Sequence, residues 1–438
     1  MIKTNWQPII GLEIHVELNL KSKMFCGCSA NHFGKKANTN VCPVCLGLPG
    51  ALPVPNFKAV ESSLMVGLAL GCQPAVFSKF DRKNYFYPDL PKGYQISQYD
   101  LPFSAGGSLE IDGQKIGITR VHLEEDTAKL SHQGNTSLID FNRSGVPLVE
   151  IVTEPEIHSS QQAKAFLKEL RDKLRYLKIS DCDMEKGSMR LEVNISLSQS
   201  RCLPDYKVEI KNLNSFRYVE RAIEFEINRQ RQILVSGKKP AQETRGWNSK
   251  KQLTFSQRQK EEAKDYRYFP EPDIPPFDFS QAGGIDLAAI KAKLPESPAE
   301  KRQRYQRQFD LRPDQAKLLA GNIKLAEYFE IAASLGQQKG VEIKALANAI
   351  INKKIDWQET TVEVLVKQLS AANRQPVLSS QLLSAAIEQV VKDNPKPVTD
   401  FKKGQSGAIE FLLGMVMKQT KGQANPNQVR EELIKYLS

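Results

Sequence analysis

Residues 10–18 alternate between apolar and polar positions. Ile10, Leu12, Ile14, Val16 and Leu18 fall on one face of an extended strand, and Gly11, Glu13, His15 and Glu17 on the other. The pattern recurs over 189–197. There Met189, Leu191, Val193, Ile195 and Leu197 oppose Arg190, Glu192, Asn194 and Ser196. Val208 and Ile210 alternate with Lys207, Glu209 and Lys211, and residues 116–123 form a further strand candidate ending in Glu124-Glu125-Asp126. Strict alternation groups Glu124 with Arg120 and His122, whereas a bulge at the strand end would bring Glu125 to that side instead.

A different period marks the helices. Asn56 is placed to cap a helix whose Val60, Leu64 and Leu68 share a face and which stops at Gly71. Ser159 and Gln162 form a capping box ahead of Phe166, Leu170, Leu174 and Leu177. Ser215 precedes a third helix with Phe216, Val219, Ile223 and Ile227 inward. Near the end of the chain, Asn425-Pro426 reads as a cap followed by proline in the first turn, with Val429, Leu433, Tyr436 and Leu437 as the buried stripe.

These elements predict an α+β protein. Strand-like, Gly- and Pro-rich sequence runs to about Ile290, and helical sequence rich in Ala, Leu, Gln and Lys follows Pro295. Phe269–Pro276 and the Gly283-Gly284 pair are read as breakers between the two regions. The 438 residues suffice for two to three domains. No stretch has the roughly 20 apolar residues needed to span a bilayer. The start, Met1–Trp6, has no apolar run after Lys3 and is not a signal peptide, so a cytoplasmic protein is expected. The net charge of +11 suits a polyanionic partner, although it is spread along the chain, +6 before Pro295 and +5 from there on.

Alternation sets Glu13 and His15 side by side, about 7 Å apart, where a carboxylate and an imidazole can share one metal ion. Taken singly, such a strand is more often a half-buried strand with a solvated face. If the candidate strands share one sheet, their polar faces bring together Glu13, His15, an acid near 125, Glu192 and Glu209. Crowded carboxylates repel one another unless cations intervene, and a hard ion such as Mg²⁺, which recruits substrate phosphates, is the natural occupant.

Cys26-Gly27-Cys28 is followed by Cys42-Pro43-Val44-Cys45. Two close pairs with a short spacer are the ligand pattern of a structural tetrahedral Zn²⁺ site, with a glycine, Gly47, placed for the tight turn. Cys72, Cys182 and Cys202 are isolated and read as small packing residues.

By their motifs these segments resemble the B subunits of the tRNA-dependent amidotransferases, the GatB family. The likeness is carried by Gly11–Leu18, Asn38–Pro43, Phe80–Gln98, His122–Asp126, Asn142–Pro147, Glu209–Phe216 and Asp265–Asp273, and in the tail by Gly414–Pro426. It runs from residue 8 to about 280 and then resumes at the tail.

The resemblance implies a cradle domain with a mainly antiparallel sheet over 1–292, with a zinc knuckle at 26–45. An all-α helical domain over 293–380 and a tRNA-binding tail domain over 381–438 follow. It implies a carbon–nitrogen ligase that uses ATP and Mg²⁺ to phosphorylate and amidate the side-chain carboxylate of Glu-tRNA(Gln), Asp-tRNA(Asn) or both. Ammonia would come from a partner amidase (the A subunit), and a small third chain (the C subunit) would complete a heterotrimer. It places Mg²⁺ on Glu13, His15, Glu125, Glu192 and Glu209, resolving the Glu124/Glu125 tie towards Glu125, and gives Glu13, His15 and Glu125 catalytic roles. Zn²⁺ falls on Cys26, Cys28, Cys42 and Cys45. Arg82, Lys83 and Arg143 are candidate substrate contacts.

The chain departs from the family pattern at Glu192, where an aspartate is usual, in a shorter 198–206 loop, and in a shorter stretch between about Gln358 and Gln381. It has no P-loop and no Ser/Lys amidase signature, so it needs a partner to supply ammonia. Two expectations compete with this one. The first is a non-catalytic, zinc-stabilised RNA-binding module within a larger assembly. The second is a metal hydrolase that works without the A and C partners.

Overall fold

The computed structural model describes residues 6–200, 202–259, 266–280, 285–352, 354–373, 380–403, 405, 407–420, 422, 424 and 426–437. Asp265, Gly283-Gly284 and the Asn425 cap lie outside them. Two compact units divide at Lys301/Arg302, nine residues beyond the boundary expected from the sequence.

The first unit is built on a nine-stranded sheet. Its strands are β1 (Gln7–Glu17), β2 (Gln73–Pro74), β3 (Ser104–Ile111), β4 (Gln114–Glu125), β5 (Pro147–Thr153), β6 (Met189–Ser198), β7 (Val208–Lys211), β8 (Glu243–Asn248) and β9 (Leu253–Gln259). Across the sheet they run β9-β8-β7-β6-β1-β5-β4-β3-β2. The pairings are antiparallel except β7 with β8. A parallel pair needs a crossover, and helix α3 (Phe216–Val235) supplies it between those two strands. The four strands singled out by alternation, β1, β4, β6 and β7, therefore share one sheet, with β5 between β1 and β4.

One face of that sheet is the core. Ile10, Leu12, Ile14 and Val16 of β1 pack with Val121 and Leu123 of β4, Val149 and Ile151 of β5, and Leu191 and Val193 of β6. The covering layer is α1 (Phe57–Ala69), α2 (Ser160–Tyr176) and α3, through Val60, Leu64, Phe166, Leu170, Val219 and Ile223. Each such side chain taken from water contributes roughly 1.5–3 kcal/mol, so the sheet is held from its apolar side and its other face is left for polar groups.

The helix starts follow their caps. Asn56 accepts hydrogen bonds from the amides of Lys58 and Ala59, Ser159 from that of Gln162, and Ser215 from that of Tyr218. The capping box at α2 closes one residue early, because Gln162 Oε1 accepts from the amide of His158 at 2.8 Å and not from that of Ser159.

The breaker-rich stretch is not a linker. Phe269–Pro270 pairs with the strand Asp81–Asn84, and Phe277–Asp278 pairs with Phe77–Ser78. Proline confines these strands to two residues, and Phe277 joins an edge-to-face cluster with Phe80 and Phe103 that fixes the segment to the first unit.

The described elements of Arg302–Ser438 are helical. They contain two separate apolar cores, one around Tyr305, Phe329, Leu346 and Val366 and one around Leu383, Ile387, Leu412, Val416 and Leu433. No helix among the described residues is long and apolar enough to cross a membrane.

Candidate metal and substrate site

The polar face of the sheet opens into a cleft of about 620 Å³ lined by Glu13, His15, His122, Glu124, Glu150, Glu192 and Glu209, among others. Register explains the convergence. Glu13 stands opposite Glu192, His15 opposite Glu150, and Glu150 opposite His122. Two imidazoles and a carboxylate are thereby threaded across three adjacent strands. Glu150 Oε2 lies 3.3 Å from His15 Nε2 and 3.3 Å from His122 Nε2. His15 Nε2 is also 3.7 Å from Glu13 Oε1 and 3.8 Å from Glu124 Oε1. Two sets of three potential ligands result, Glu13–His15–Glu150 and His122–Glu124–Glu150, each with ligand atoms within 4.8 Å of one another and both sharing Glu150.

The electrostatics follow from this crowding. Burial, with Glu150 and Glu192 close by, pushes the Glu13 carboxyl up to about 7. Burial disfavours a charged His15, yet its hydrogen bond to Glu150 and the charges of Glu150, Glu124 and Glu13 prevail and push it up to about 9. Burial likewise opposes ionisation of Glu150, but His122 and His15 hold its carboxyl well below the usual range. The cluster thus keeps protons where a divalent cation would sit, the condition in which metal and protons compete for the same ligands.

Glu125, which the family resemblance places on the metal, stands apart from both ligand sets. Its carboxylate receives a hydrogen bond from Lys92 Nζ at 2.7 Å and from the amide of Ile96 at 3.0 Å, beside Cys45 and Gly145 and away from the cleft. Of these two neighbours, Glu124 is the one that lies beside His15 and His122, at 3.8 and 3.9 Å. Strict alternation holds to the end of β4, with Glu124 opposite Leu148 and Glu125 opposite Pro147, because the bulge in this pairing lies at Val152/Thr153, at the far end.

Glu192 and Glu209 line the cleft but are engaged at its edge. Glu192 accepts from Lys211 Nζ at 2.8 Å, and Glu209 accepts from Thr244 Oγ1 at 2.6 Å. Neither belongs to the two ligand sets.

Glu150 is the residue that alternation does not find, and His122, which alternation sets beside Glu124, is not among the ligands expected from the sequence. The signal for Glu150 is a lone acid in the apolar run Pro147-Leu148-Val149-Glu150-Ile151-Val152. A carboxylate is almost never buried unless it is paired.

The candidate substrate contacts separate. Lys83 lines the cleft, and although burial disfavours its charge, Glu124, Tyr268 and Glu150 raise its pKa. It makes no ion pair within 4 Å among the described residues. Arg120, Arg190, Lys207 and Lys211 also line the cleft. Arg82 is spent elsewhere, on a fork-like pair of 2.7 Å hydrogen bonds to Glu271. Arg143 donates to the carbonyls of Thr127 and Ala128, at 2.9 Å each, and buttresses Asp126. These two arginines position the walls and do not line the cleft.

In the loop between β1 and α1, one Sγ from each of Cys26, Cys28, Cys42 and Cys45 comes within 4.8 Å of the others. All four are free thiols. This geometry fits a tetrathiolate metal site, whose sulfurs would stand about 2.3 Å from the ion. The hydrogen bond from Cys26, with the Cys42 amide and Lys23 nearby, holds Cys45 down at about 4 despite its burial. Cys72 and Cys182 are buried as packing residues should be, whereas Cys202 is exposed, contrary to expectation.

A family model for the GatB/GatE catalytic domain matches residues 8–283, and one for a GatB domain matches residues 337–437. This chain belongs to the GatB family. It is 44% identical to the B subunit of the aspartyl/glutamyl-tRNA(Asn/Gln) amidotransferase of Thermomicrobium roseum, over 98% of both chains. The proteins of that name from Dehalococcoides mccartyi, over 99% of both chains, and Carboxydothermus hydrogenoformans, over 98% of both, are also 44% identical. The GatB-family catalytic match, residues 8–283, includes every carboxylate, histidine and cysteine of the two candidate sites.

Proposed function

We propose that this chain is the component of a tRNA-dependent amidotransferase that activates the side-chain carboxylate of Glu-tRNA(Gln), Asp-tRNA(Asn) or both. The observation that carries the reading is the shared position of Glu150 between Glu13–His15 and His122–Glu124. A carboxylate is a poor electrophile towards ammonia, and transfer of phosphate from ATP supplies a leaving group. The relatives' names supply the tRNA and the amide chemistry. The cleft supplies acids and imidazoles that suit a hard divalent cation, with Lys83, Arg120, Lys207 and Lys211 around them to receive phosphate oxygens.

Mg²⁺ fits the oxygen-rich donor set of Glu13, His15, Glu124 and Glu150, and when bound it would offset the charge that develops during phosphate transfer. The chain's own residues do the rest. Lys83 orients a phosphate, and Glu150 fixes both imidazoles. The walls formed by Tyr85, Tyr266 and Tyr268 limit water around the reacting carboxylate. Zn²⁺ fits the four cysteines as a structural ion. Ammonia would come from an amidase partner (the A subunit), and the small C subunit would complete the assembly. In this reading residues 293–380 form a helical domain and 381–438 a tRNA-contacting tail.

A purely RNA-binding module is disfavoured, because a surface meant for phosphates would not gather six carboxylates. The test is ATP turnover and amide formation with the purified partner proteins and either misacylated tRNA. Phosphate release that needs both Mg²⁺ and misacylated tRNA is expected. Turnover indifferent to aminoacylation, or none with either tRNA, would sink the proposal.

A further inference from the structure

Lys23 is fully buried, at 0% exposure, and is among the largest side chains in the protein to be so enclosed. Its ammonium has three protons to place. They meet the carbonyl of Asn40 at 2.9 Å, the carbonyl of Phe141 at 3.3 Å and Cys45 Sγ at 3.6 Å. No carboxylate stands within ion-pair distance of it among the described residues. Two carbonyl dipoles satisfy hydrogen bonds but do not offset a full charge, and a buried ammonium without a counter-charge is strongly disfavoured. The negative charge within reach is that of the cysteine cluster.

The cluster has the opposite problem. Four thiolates around one divalent ion carry a net charge of about −2, in a loop that is itself partly enclosed. Hydrogen bonds to the sulfurs and a nearby cation are the means by which a protein tunes such a site. The surroundings hold Lys23 in place. Its amide donates to the carbonyl of Cys28 at 2.9 Å, and the next amide, of Met24, donates to the carbonyl of Gly145 at 2.7 Å. The amide of Asn40 donates to Asn142 Oδ1 at 2.8 Å, and Ser144 Oγ donates to the carbonyl of Cys45 at 3.2 Å. Lys23 therefore sits at the joint where the cysteine loop is strapped to residues 141–145, with its ammonium on Cys45 of the second pair and its backbone amide on Cys28 of the first.

We propose that Lys23 is the built-in counter-ion of the four-cysteine site, so that the two buried charges stabilise each other and the metal is retained as a tetrathiolate. It is a positioning residue, not a ligand. The inference rests on the metal reading of the cysteines, and its test separates the two.

Zinc content of the purified full chain is measured first; a wild-type chain that neither carries nor takes up zinc overturns both readings. Zinc is then withdrawn by a chromophoric chelator from the wild type and from Lys23→Met, which keeps the bulk and removes the charge. Lys23→Met should lose affinity by about 10- to 100-fold. A merely structural lysine would lower the melting temperature and leave the chelator competition of the folded chain unmoved, and an affinity within twofold of wild type overturns the proposal. A second measurement needs no variant. In the zinc-loaded wild type Lys23 should resist an amine-acylating reagent, and after chelation it should become reactive, as read by peptide mass. Equal labelling in the two states also overturns it.

Discussion

Glu13 and Glu192 stand directly opposite each other on neighbouring antiparallel strands, and both carboxylates face the same cleft. Like charges so placed destabilise a sheet unless something intervenes. Burial, then Glu150 and Glu192, push the Glu13 carboxyl up to about 7, and Lys211 partly relieves Glu192. Glu192→Gln should therefore lower the Glu13 pKa towards 4.5 and stabilise the metal-free protein by about 0.2–1 kcal/mol. Glu192→Asp, which keeps the charge, should leave the Glu13 pKa near its wild-type value. An NMR titration of Glu13 beside denaturant midpoints reads both, and an unmoved pKa in the Gln variant would show that the pair is uncoupled.

The two adjacent acids at the end of β4 should behave differently. Glu124 faces His15 and His122, whereas Glu125 is held by Lys92 and the Ile96 amide. Glu124→Gln should weaken Mg²⁺ or Mn²⁺ binding at least about tenfold by calorimetry, a cost typical of metal-site changes. Glu125→Gln should bind within about twofold of wild type, while melting lower by the loss of a buried ion pair. The reverse ranking would restore Glu125 to the metal site.

That contrast shows what the sequence could convey. Period-2 alternation identified β1, β4, β6 and β7 because each has one face in the core, and it ordered Glu124 with His122 correctly. The tie arose because a bulge is a backbone event with no sequence mark at that point. The family resemblance pointed to Glu125, which the fold places with Lys92 and the Ile96 amide and apart from the two ligand sets. Glu150 was missed because β5 is buried along most of its length, so its sequence shows no alternation. Phe269–Pro276 looked like a linker because two-residue strands have no period to detect, and their place was set by the distant Phe80 and Phe103. The clustering of the four cysteines was legible, since they lie close together along the chain. Lys23 was not, because nothing local distinguishes a buried lysine from a solvated one.

Removing metal from the cysteine site should destabilise the first unit. A ligand bound to the folded state alone, at a thousandfold excess over its dissociation constant, contributes about 4 kcal/mol. Chelation confirmed by metal analysis should lower the first unfolding transition by a comparable amount, and re-addition of zinc should restore it. The loop from Ser22 to Cys45 holds α1 through the carbonyls of Ser22 and Lys23, which accept from Asn56 Nδ2. Hydrogen exchange should therefore rise at the start of α1 as well as in the loop. A melting curve unchanged after verified metal removal would exclude a structural role.

The last expectation concerns pH. His15 has a folded pKa of about 9 against an ordinary 6.5, and Glu13 about 7 against 4.5. Both are raised, so each group binds its proton more tightly folded than unfolded. The stability this contributes is present in full below the unfolded values and is lost as pH rises through the folded ones. Glu150 is depressed, so its contribution is present above 4.5 and is lost as pH falls. Without divalent cations the first unit should be most stable at about pH 5–6 and should lose on the order of 5 kcal/mol by pH 9. Mg²⁺ must displace the same protons, so its binding should tighten over this interval and release protons, with buffer-dependent heats in calorimetry. Saturating Mg²⁺ should then flatten the alkaline loss. His15→Asn should remove most of the metal-free slope between pH 6.5 and 9, and a slope that persists in that variant would place its origin outside the cleft.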